Sequence, residues 1–281
     1  MISIKWISML HLVMLLGTLT GILLLVGMLI GGIAGTTIAL FIAIAVNLLS
    51  YWYSDRIVLR VHGAKRTEIK ELHSKVEKIA HEAGIPKPKI YMIESDAPNA
   101  FATGRDPRHS AIAVTRGLLQ LDDEEIEGVI AHEISHIRNR DVLVATMAAS
   151  IGGAIAYLAQ IGYWSLFLGG NRREEGNALG ILLIIIFAPL AALLVRMALS
   201  RNEEYKADRT GALLTGNPLG LASALRKISK YSAEHPMRTG SAATSHMWIV
   251  NPFRSDWFTG LFSTHPPIEK RIEMLQEMHP E

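Results

Sequence analysis

The chain has 281 residues, of which 49% are hydrophobic and only 19% charged, where a soluble domain usually carries about a quarter charged residues. A formal net charge of +2 and the lack of a basic stripe interleaved with aromatics point to no nucleic-acid partner. With no cysteine there is no disulfide framework, and any metal must be held by histidine and carboxylate.

No Asp, Glu, Lys or Arg occurs between Trp6 and Tyr53. A helix crosses a bilayer in about 20 residues, so this run is too long for one span. Gly31-Gly32, followed by Gly35-Thr36-Thr37, predicts a turn between two spans, at about 6–30 and 33–53. The run also exceeds the apolar region of a cleaved signal peptide. Residues 66–83 then predict an amphipathic helix, with Ile69, Leu72, Val76, Ile79 and Ala83 on one face and Gly84 as the stop. Lys89–Ile93 reads as a strand and Ser110–Thr115 as a second, with 104–109 turning between them. The stretch 111–115 is expected at the sheet edge, where an extended peptide could add.

The next helix opens at Asp122 or Asp123, where Asp122 and Glu125 form a capping-box pattern. It carries His132-Glu133-Ile134-Ser135-His136. Residues four apart share one helix face, roughly 6 Å apart along the axis. His132 and His136 can therefore aim two imidazoles at one tetrahedral metal, and Glu133 can take a proton from a water held there. The pattern reads as a zinc peptidase. His136 lies roughly 9 Å of helical rise before Val142, so the site is expected near a membrane surface.

A third span is predicted over 142–168 and a fourth over 178–199, with Pro189 as a kink and Arg196 reaching to the surface. Basic residues cluster at Arg56, Arg60, Lys65 and Arg66, at Arg138 and Arg140, and at Arg196 and Arg201. By the positive-inside rule, 54–141 and 200–281 are then cytoplasmic. Just after the fourth span come Glu203 and Glu204, both candidates for a third ligand. Asp208 falls four residues after Glu204 and can take the N–H of a ligating histidine, which selects Glu204. The segment 232–264 is rich in Ser, Thr, Gly and Pro, and reads either as a lid or as a poorly ordered loop. His265 stands before Pro266 and Pro267. It serves either as a turn residue or as a donor to the oxyanion of the reaction, and Arg271, on the helix that follows, is placed to clamp a carboxylate behind the metal.

Several motifs together resemble the HtpX family of membrane zinc endopeptidases, a gluzincin group related to the CAAX prenyl proteases. They are Pro98 to Gly104, His132 to His136 with Asn139 and Asp141, the stretch from Ser200 to Asp208, and Thr264-His265-Pro266-Pro267 with Arg271. With the apolar segments they cover nearly the whole chain. Glu203 departs from the pattern, since many relatives have Arg there. The resemblance implies one zinc per subunit on His132, His136 and Glu204, with Glu133 as catalytic base. It implies that Asn99 and Ala100 hydrogen-bond a substrate backbone. It also implies a multi-pass protease of a prokaryotic plasma membrane, its site facing the cytoplasm, acting on damaged or misfolded membrane proteins. The expected fold is mainly α-helical and integral to the membrane. It has four transmembrane helices and a cytosolic α+β zincin-like metalloprotease domain with a small sheet. A transporter would place ionisable residues within its spans; here they fall at the ends, with His11 the main exception.

Overall fold

The computed structural model describes residues 4–152, 155, 201–237, 242–253 and 266–278. Most of the third expected span, all of the fourth, and His265 lie outside the described residues. The first element, α1 (Ile4–Val61), is broken at Gly31–Gly32, where Gly32 adopts φ 58°. Only glycine takes that conformation without strain. The two arms meet again where the Asn47 side-chain amide donates to the Thr20 hydroxyl at 3.1 Å. Gly31–Val61 is long and apolar enough to cross a membrane, and Ile38, Phe41, Leu48 and Leu49 are exposed on it. The helix does not stop at Tyr53. Nothing in 54–61 breaks it, so it continues to Val61 and delivers His62 to the rest of the fold.

Four strands follow in the order β1-β2-β4-β3. They are β1 (Lys65–Arg66), β2 (Lys89–Ile93), β3 (Ala100–Asp106) and β4 (His109–Thr115). β2 pairs with β4 in parallel, whereas β3 pairs with β4 antiparallel, Ala100 opposite Val114. This corrects two expectations. Residues 100–106 form a strand of their own, and the stretch 111–115 is interior rather than at the edge. The edge strand is β3. The full burial of Ile112, Ala113 and Val114 is the physical sign of an interior strand, covered on both faces.

One face of the sheet carries the main core. Helix α2 (Lys70–Glu82) contributes Leu72, Val76 and Ile79, and α3 (Asp123–Asn139) contributes Ile126, Val129, Ile130 and Ile134. The capping box is present at Asp122 and Glu125. Glu125 also binds Ser223 and Lys227 on a later helix, so the box ties two helices as well as starting one. After α3 come the apolar α4 (Val142–Gly152), then α5 (Arg201–Thr215), α6 (Pro218–Glu234) and α7 (Ile268–Gln276). The expected lid at 232–264 begins inside α6, because Ser232 is buried in that helix.

Helices α3 and α5 lie close because Gly211 has no side chain. A β-carbon there would sit 2.9 Å from the His132 nitrogen and 3.1 Å from the Ala131 carbonyl carbon. Both are helix backbone atoms and cannot step aside. Gly211→Val should therefore push α5 off α3 and cost about 1–3 kcal/mol, as overpacking does. Thermal unfolding of the detergent-purified protein measures this, and an unchanged melting temperature would show that the two helices have slack.

Candidate metal centre

Helix α3 presents His132, Glu133 and His136 on one side, and α5 brings Glu204 opposite them. Their ligand atoms all lie within 4.8 Å of one another, and this is the one such group among the described residues. The two Nε2 atoms are 3.1 Å apart. Glu204 oxygens stand 3.4 Å from His136 Nε2 and 3.9 Å from His132 Nε2. A tetrahedral ion with bonds of about 2.0–2.1 Å sets its ligands about 3.3 Å apart, so the spacing suits such an ion. Glu203, although buried, is not part of the group.

The other ring nitrogens are held from behind. His132 Nδ1 lies 2.9 Å from Asp208, and His136 Nδ1 lies 3.0 Å from Asp141. Each Nδ1–H then donates to a carboxylate, leaving each Nε2 with a lone pair aimed inward. Two lone pairs and a carboxylate facing one point repel unless a cation sits between them, so this donor set fits a metal.

The surrounding carboxylates favour positive charge at this point, whether a proton or a metal ion supplies it. Burial acts to lower His136, but the Asp141 and Glu204 carboxylates outweigh it and hold its pKa well above the ordinary value. Burial lowers His132, and Asp208 only partly offsets this. Burial works to raise Asp208, yet the Arg271 guanidinium keeps it below the usual carboxylate range. Arg271 is fully buried, donating to both Asp208 oxygens at 2.7 and 2.8 Å and approaching Glu204 at 3.2 Å.

Asn99 and Ala100 lie at the start of β3, both fully buried. The Asn99 side chain donates to the Val250 carbonyl at 2.8 Å and accepts from the Ala100 N–H at 3.0 Å. The Ala100 carbonyl accepts the Ile249 N–H at 3.1 Å. A cavity of about 20 Å³ lies among His132, Glu133, His136 and Glu204, with Met247 and Trp248 also in its lining. Asp141 and the 246–249 cover have no counterpart among the sequence-derived roles. Arg140, at φ 66°, reverses the chain after α3 and brings Asp141 back beside His136. An acid just past the helix end was the available signal.

The description "Peptidase family M48" matches residues 66–279. A protease HtpX homolog of Pyrococcus abyssi is 52% identical over 270 residues, covering 94% of this chain and 93% of that one. A protease HtpX homolog of Aquifex aeolicus is 49% identical over 269 residues, covering 92% and 89%. Among solved structures, S. mikatae Ste24p aligns at a TM-score of 0.48 and 19% identity, over 96% of this chain and 65% of that one.

Asp141→Asn should weaken divalent-cation binding about 10–100-fold, the usual cost of losing a group that orients a ligating histidine. Competition with a chelator of known affinity measures it. Unaltered affinity would mean that the 3.0 Å contact to His136 orients nothing.

Proposed function

The chain belongs to peptidase family M48 and is a metalloprotease, and on that premise we propose that it is a zinc-dependent endopeptidase of the membrane. The observation that carries this reading is the convergence of His132, His136 and Glu204 with Glu133 beside them on α3. His132, His136 and Glu204 hold the ion, one per subunit. A zinc ion held there would supply Lewis-acid polarisation of a peptide carbonyl and a more acidic water.

The chain's own residues supply the rest. Glu133 takes the proton of the attacking water and passes it to the departing amine nitrogen. Burial pushes its carboxyl up to about 8, against the opposing influence of His136 and the Ala102 N–H. Asp208 and Asp141 fix the two imidazoles, and Arg271 fixes Asp208. Asn99 and Ala100 bind a substrate backbone, and His265 donates to the oxyanion.

The exposed apolar surface of α1 supports insertion in a bilayer. We place four spans at about 6–30, 33–53, 142–168 and 178–199, with 54–141 and 200–281 in the cytoplasm of a prokaryote. The substrates are then damaged or misfolded membrane proteins and peptides from them, cleaved in protein quality control.

Glu133→Gln keeps the shape of the side chain but cannot take a proton. It should retain zinc and fold, and lose casein cleavage toward the upper end of the roughly 10²–10⁴-fold that general acid–base catalysis contributes. Glu204→Ala should lose zinc whereas Glu203→Ala keeps it. Cleavage near the wild-type rate by Glu133→Gln would sink the mechanism, and stoichiometric zinc in Glu204→Ala would move the third ligand.

Topology has its own test. Ser74 is exposed on α2, and a cysteine placed there is the only one in the chain. It should resist a membrane-impermeant thiol reagent in intact cells and react after lysis. Labelling in intact cells would reverse the orientation.

A further inference from the structure

The groove beside β3 is filled by the protein itself. Its outer edge offers the groups that an added peptide strand would use. The Ala100 N–H is taken by Asn99, the Ala100 carbonyl by Ile249, and the Ala102 N–H by Glu133. The Gly104 N–H reaches Thr146 of α4 at 3.3 Å. Over the metal centre the cavity lined by the described residues is about 20 Å³, room for about one water, and Ile249 already holds the Ala100 carbonyl at the strand edge. An endopeptidase built this way must move something before it can bind.

The candidates for movement differ in how they are held. Helices α3 and α5 touch backbone to backbone at Gly211, and β3 is laddered to β4 along its length. The covering segment is anchored differently. A short 3₁₀ turn, Ala242–Met247, leads into Trp248 and Ile249. Thr244 meets the His62 ring at 2.9 Å, and His246 reaches the Ala145 carbonyl at 3.1 Å. Trp248 packs edge-on against Phe101 at 4.9 Å and His62 at 5.1 Å. Beyond it, the Ile249 carbonyl accepts from Arg271, and the Val250 carbonyl from Asn99. The covering stretch 245–248 is thus held chiefly by side chains, and one backbone bond from Ile249 fastens it to β3.

We propose that residues Ser245–Ile249 form a strap that occupies the peptide groove of the resting enzyme and is displaced by substrate. Its chemistry also names the substrate class. Met247, Trp248 and Ile249 are apolar, so what displaces them is an apolar extended segment that takes over the Ala100 carbonyl and the place of Trp248 against Phe101 and His62. Such segments are hidden in folded proteins and exposed in unfolded ones, and the strap makes their exposure the condition for cleavage. His62 stands at the end of α1, so the strap rests on the base of the apolar hairpin. Burial lowers that imidazole to about 4, leaving it neutral against the aromatic rings. The inference rests on the endopeptidase reading above.

The test uses full-length, zinc-loaded, detergent-purified Glu133→Gln protein, with and without saturating unfolded casein, followed by amide hydrogen exchange. On binding, the Trp248 and Ile249 amides should exchange at least about tenfold faster as their closed state opens, with α3 unchanged. Slower or unchanged exchange there would make the segment a fixed wall of the groove and overturn the proposal. In the active background, Trp248→Ala should raise kcat/KM for a short apolar peptide several-fold. The gain should come mainly through KM, because a larger fraction of molecules is competent to bind. A fall in kcat/KM with zinc intact would also overturn it, and if Trp248→Ala loses its zinc the exchange measurement decides alone. The two readings fail separately. Absence of zinc-dependent cleavage by the wild-type protein defeats the endopeptidase, whereas cleavage with a strap that never opens defeats the strap.

Discussion

The Arg271 guanidinium has none of its surface exposed, and the site is assembled around it. Two of its nitrogens grip both oxygens of Asp208, a third reaches the Ile249 carbonyl, and Asp208 in turn orients His132. One side chain from α7 therefore links α5, α3 and the cover of the groove. A buried charge costs several kcal/mol unless it is paired and hydrogen-bonded, and removing one partner of such a pair costs about 3–5 kcal/mol. The fold tolerates Arg271 because Asp208, Glu204 and the Ile249 carbonyl all present acceptor oxygens to it.

The same balance accounts for the metal-binding character of the centre. Glu133, Asp141, Glu204 and Asp208 are all buried within one small region, and among the described residues Arg271 is the buried guanidinium that answers them. Asp141, Glu204 and Asp208 against one fixed cation leave an acid excess in a low-dielectric setting, where charges interact more strongly than in water. His136 also lies in the last turn of α3, where the helix dipole favours positive charge. Divalent-cation binding relieves what would otherwise be a costly cluster. The strength of this pull follows from burial more than from any one ligand.

How much of this was legible in the sequence depends on distance along the chain. His132, Glu133 and His136 were readable because helical spacing alone puts them on one face. The grouping of Glu204 rather than Glu203 with the two histidines follows the same helical spacing, with Asp208 one turn further on. The capping box at Asp122 and Glu125 is likewise a local pattern. β3 was missed because Pro98-Asn99-Ala100 and Gly104 look like loop composition, and its strand character comes from pairing with β4. Strand order is a long-range property, so the interior place of 111–115 could not be read from its alternation. Asp141 escaped because its approach to His136 depends on a left-handed residue at Arg140. The cover over the groove was least legible of all. Its burial depends on His62 and Phe101, which lie far from it in the sequence.

The order in which these parts are made adds a consequence. His132 and His136 precede Glu204 by a long stretch of chain, and Arg271 comes later still. During synthesis, the two histidines emerge long before Glu204, and the guanidinium that neutralises Asp208 emerges after all of them. Contacts of such sequence separation form late, once the intervening chain is in place. A half-made chain thus carries a histidine pair but no organised centre. The arrangement of Asp208 behind His132 is therefore complete only once the helix bearing Arg271 has docked.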